Sequence, residues 1–190
     1  LTHKFRPSSG WGDRWIGDPD RGVGKPQPGG WAFDILPYME ETATRAIGKG
    51  LSLADKKVAL AQLKEQPVPL FYCPSRRDAV AYPSVNPSSG ASAFVEQSVN
   101  TDRASLASKT DYAGNGGSYY HDASGPISVS CLDTYPNCDW SNAFTYLKTR
   151  FDGLTTQLSE VKLSQVTDGT SKTIMVGEKF LNPDNYANGV

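Results

Sequence analysis

Between Leu163 and Phe180 the chain reads LSQVTDGTSKTIMVGEKF, and this stretch most restricts the folds open to it. Leu163 and Val166 stand three apart ahead of Asp168-Gly169. That spacing predicts one short helical turn, closed by a glycine at positive φ. Thr173-Ile-Met-Val-Gly follows as a compact apolar run with β-formers and reads as a buried strand. A helical turn, a tight corner and a core strand make an anchor on which other segments can pack. Nothing in the stretch is a catalytic signature.

Other helices and strands are legible by their punctuation. Leu36, Met39, Ala43, Ala46 and Ile47 recur at three and four and predict one helix face. Pro37 fits near its start, and Gly48 and Gly50 end it. Ser52 and Asp55 form the signature of a capping box opening a helix over 53–66. Its apolar stripe is Leu53, Leu60 and Leu63, and Pro67 and Pro69 stop it. Leu70-Phe-Tyr-Cys predicts a short buried strand, and Ile127 and Val129, alternating with serines, a half-exposed one. The expected fold is α+β, with N-terminal helices on a mostly antiparallel sheet and long loops.

The remainder is loop. Residues 1–30 are rich in Gly, Pro, Arg and Asp, yet hold Trp11 and Trp15, so an irregular packed loop is expected rather than disorder. Residues 84–109 are weakly patterned and predict a long, mobile surface excursion. Gly114-Asn-Gly-Gly marks a reversal or a close backbone approach. A chain of 190 residues suits a single domain spanning 1–190. Its net charge of −1, with scattered basic residues, argues against a nucleic-acid surface. No window has the length and apolarity of a membrane span.

Cys131 and Cys138 bracket LDTYPN, and the turn predicts a disulfide closing an insertion over 131–152. Two unpaired thiols, or a zinc pair completed by His3 and His121, are the alternatives. Cys73 sits in an apolar run and reads as a buried thiol.

Four segments carry a family resemblance: Gly17 to Glu41, Pro69 to Arg77, Thr110 to Ser118, and Val161 to Tyr186. Together they resemble the large, functionally uncharacterised family of pilin-like proteins. Members begin with a prepilin-type segment on a hydrophobic helix and end in His, nine residues, then Asp-Gly. This sequence lacks both features, so the resemblance implies a soluble head, truncated at both ends. Any membrane association would come only through the missing helix. The resemblance also implies export to an extracellular, cell-surface or periplasmic place, with other pilin-like subunits or secretion machinery as partners. It implies a missing partner for Cys73, leaving that thiol free, and it supplies no catalytic residues.

Three candidate sites follow from residue chemistry. Asp18, Asp20, Asp133, Asp139, Asp168 and Asp184 lie near Gly or Asn in loops, a setting that suits calcium. The plainer reading makes them turn and cap residues. His121 is the one plausible general base for a metal-assisted hydrolase of small esters or lactones, although no nucleophile elbow accompanies it. Trp11, Trp15 and Trp31, with Asp13, Arg14 and Arg21, could form a carbohydrate platform. The competing reading makes the indoles core. With no strong catalytic motif, the sequence favours a structural, assembly or interaction role.

Overall fold

A computed structural model describes residues 10–12, 14–84, 98–118, 125–138, 152–181 and 183. The fold is α+β. In chain order come α1 (Trp31–Asp34), α2 (Thr42–Arg45), α3 (Leu53–Glu65), β1 (Tyr82–Pro83), β2 (Leu106–Ala107), β3 (Tyr112–Gly114), α4 (Ser130–Thr134) and β4 (Val176–Glu178). Among the described residues the strands pair in two separate antiparallel ladders. Tyr82 faces Ala107 in one, and Tyr112, Ala113 and Gly114 face Glu178, Gly177 and Val176 in the other.

Helix α3 forms where its cap requires it. Ser52 Oγ accepts the Asp55 backbone N–H at 3.3 Å, satisfying a donor with no partner inside the helix. Leu60 and Leu63 are buried, but Leu53 is exposed, so the apolar stripe is shorter than predicted. The single helix expected over 36–47 is instead a broken series: α1, a 3-10 turn at Leu36–Met39, and α2. Pro37 has no N–H for an i−4 bond, and Glu40 turns to φ 64°, left-handed backbone that no helix continues through.

Two predicted strands are helical turns. Pro69 opens a 3-10 turn through Phe71, because its fixed φ suits a first helical position. Around Ile127 and Val129, Ser128 Oγ accepts the Ser130 N–H at 3.3 Å and turns the chain into α4. The expected excursion over 84–109 also needs correction. Residues 85–97 lie outside the described residues, but Ser98, Asn100, Thr101, Ala104 and Ala107 are buried.

Among the described residues the core has two clusters. One joins Trp31, Phe33, Leu36, Leu60, Leu63, Val68, Phe71 and Tyr72. The other joins Trp11, Trp15, Cys131, Leu132 and Leu158. Ile16 packs against the first cluster and its neighbour Trp15 lies in the second, so this part of the chain links them. Asn100 clamps Ile16, accepting its N–H at 3.0 Å and donating to its carbonyl at 2.8 Å. Trp15 Nε1 donates to Pro126 O, and Gln157 Nε2 to Trp11 O. A Cβ at Gly17 would overlap the Phe33 ring, so only glycine allows this approach. The 163–180 stretch, by contrast, is peripheral.

Candidate functional site

Three of the segments that carry the family resemblance, far apart in the chain, meet at Asp111. Its side chain is fully buried. Oδ1 accepts Arg77 Nη2 at 2.5 Å, and Oδ2 accepts the Cys73 N–H at 2.7 Å. The Asp111 backbone donates to Phe71 O at 2.8 Å and accepts the Lys179 N–H at 2.7 Å. The Arg77 guanidinium lies over the Tyr72 and Tyr82 rings, 5.7 and 5.6 Å from their centroids. A carboxylate at this depth is tolerable only when its oxygens are paired, and both are.

Lys179 extends this node to β4. Burial pulls its ammonium down to about 8, Arg77 adds to the shift, and Asp111 opposes it. Nζ donates to Thr110 O at 3.0 Å. Arg76 donates to Lys179 O at 2.7 Å and pairs with Glu178 at 3.2 Å. Ahead of the strand, Asn115 holds Met175 O through its backbone at 2.9 Å and Ile174 O through Nδ2 at 2.8 Å. The glycines beside Asn115 admit a third segment. A Cβ at Gly114 would overlap Thr155, and one at Gly117 would overlap Asp152. This is the close backbone approach that the glycine run predicts.

The side chains along this backbone are nonetheless exposed. Ile174 is 71% exposed, Met175 61%, Val176 40% and Phe180 96%. The strand expected over Thr173–Gly177 forms only at Val176–Glu178, and it is a surface strand and not a core one. Its second edge has no strand partner among the described residues.

A second polar cluster holds the loop after Gly17. Gln27 is fully buried and uses its whole amide: Oε1 accepts from Asp18 N and Gly29 N, and Nε2 donates to Asp18 O and Gly22 O. Asp18 Oδ1 accepts the Asp20 N–H at 2.9 Å, an Asx-turn. Lys56 Nζ stands 3.2 Å from Asp18 and 2.6 Å from Asp20. Its hydrogen bond and the Gly50 N–H hold the Asp20 carboxyl below its ordinary value. Burial alone would lower Lys56, but bonding and charge from Asp20 and Asp18 outweigh it and raise the ammonium. A calcium ion at Asp18 and Asp20 would have to displace this ammonium, so the pair does not fit the metal as it stands.

The other predicted site residues are scattered. Asp133 pairs with Arg21 at 2.9 Å. Asp168 is exposed beside Gly169, and its carboxylate accepts no hydrogen bond from a described residue, contrary to the capping role expected of it. Asp13, His121, Asp139 and Asp184 lie outside the described residues. Among the described residues no three His, Cys, Asp or Glu side chains gather as metal ligands. The tryptophan platform is a correction: Trp11 and Trp15 are buried in one cluster, and Trp31 in the other. Trp11 meets Trp15 edge-on at 4.9 Å, so the ring faces are spent on packing. Cys131 and Cys138 are bridged, with Cα atoms 5.2 Å apart, and Cys73 is free but only partly buried.

Residue chemistry missed Asp111, Arg77, Asn115, Lys179 and Gln27. All five fall inside the segments that carry the family resemblance, Gln27 in Gly17 to Glu41 and the others in PLFYCPSRR, TDYAGNGGS and TIMVGEKF, which is the signal that could have found them. A family model described as "Protein of unknown function (DUF1559)" matches residues 3–190. No curated protein and no solved structure matches the chain.

Proposed function

We propose, for a chain that belongs to the DUF1559 family of proteins of unknown function, a role as the exported head of a pilin- or pseudopilin-like subunit that works by association. The observation carrying this reading is the row Ile174, Met175, Val176 and Phe180, solvent-exposed on backbone tied inward to Asp111, Asn115 and Arg76. Neighbouring exposed apolar side chains mark interaction surfaces. Covering them stabilises a complex by roughly 25 cal/mol per Å² of apolar area removed from water. Backbone already held by these hydrogen bonds lowers the ordering cost of binding.

The Cys131–Cys138 bridge supports an oxidising compartment: the cell surface, the extracellular space or the periplasm. The partners in this reading are other pilin-like subunits or the surface and secretion machinery. Membrane attachment comes through the hydrophobic helix that the resemblance implies.

The test places a photo-crosslinking residue at Ile174 in the exported protein and, separately, makes Met175→Glu. The reading expects an adduct with a pilin-like subunit, lost in Met175→Glu while the melting temperature holds. An Ile174 probe that captures no such subunit, or capture unaffected by Met175→Glu, overturns it.

A further inference from the structure

We draw no further inference here: the strongest candidate, the exposed apolar side chains Ile174, Met175, Val176 and Phe180 on and beside β4, already carries the proposed function, and nothing in the structure shows what covers it.

Discussion

Arg77 and Asp111, 34 residues apart, form an ion pair whose side chains are 5% and 0% exposed. The pair joins the turn after Phe71 to the start of β3, and the Asp111 carbonyl reaches on to Lys179 after β4. Asp111→Ala removes the buried carboxylate that pairs with Arg77 Nη2 and accepts the Cys73 N–H. Asp111→Ala should therefore lower stability by about 3–5 kcal/mol in denaturant unfolding. A loss below about 1 kcal/mol, the range of an exposed pair, would show that the node is not a joint.

Lys179 gives the protein an alkaline signature. Its folded value of about 8 lies below the ordinary 10.5, so between these values the unfolded chain binds the proton and the folded chain does not. Stability is therefore depressed below pH 8 and rises as pH climbs from 8 toward 10.5. Lys179→Met should flatten that rise and stabilise the protein near pH 7, by about 3 kcal/mol at most. Loss of the bond to Thr110 O offsets part of the gain. Melting curves of both proteins from pH 7 to 10.5 check this, and an equal slope in the two would rule Lys179 out as the source.

The disulfide closes a short loop on the second cluster, where Cys131 packs with Trp11 and Trp15. Mass spectrometry of non-reduced peptides should show Cys131 joined to Cys138 and Cys73 alkylatable after unfolding. Replacing both bridged cysteines by serine should cost about 2–3 kcal/mol in the chain-entropy model. The tryptophan emission should shift at lower denaturant as well. A Cys73 bridge in the peptides would contradict this pairing.

Gly169 sits at φ 90° with nothing within 4 Å of where a Cβ would stand. A substitution there meets no clash, only a disfavoured backbone. Gly169→Ala should cost about 1 kcal/mol. Asp168→Asn, at an exposed carboxylate with no hydrogen bond from a described residue, should change the melting temperature little. A Gly169→Ala protein as stable as the parent would mean that the corner relaxes without strain.

What the amino-acid order determined by itself is local. Ser52 caps α3, Gly169 turns at positive φ, and Cys131 reaches Cys138. Each depends on bonds or backbone freedom within a few residues, so a short window holds all the information. Tertiary structure decided the rest. Arg77 finds Asp111 and Asn100 finds Ile16, 84 residues away, only once distant segments meet. An apolar β-forming run such as Thr173 to Gly177 looks the same whether a core covers it or solvent does. Trp11 and Trp15 could equally be a platform or a core until α4 closes over them. Burial is a property of what packs against a residue, and a linear sequence does not say which of its distant parts will do so.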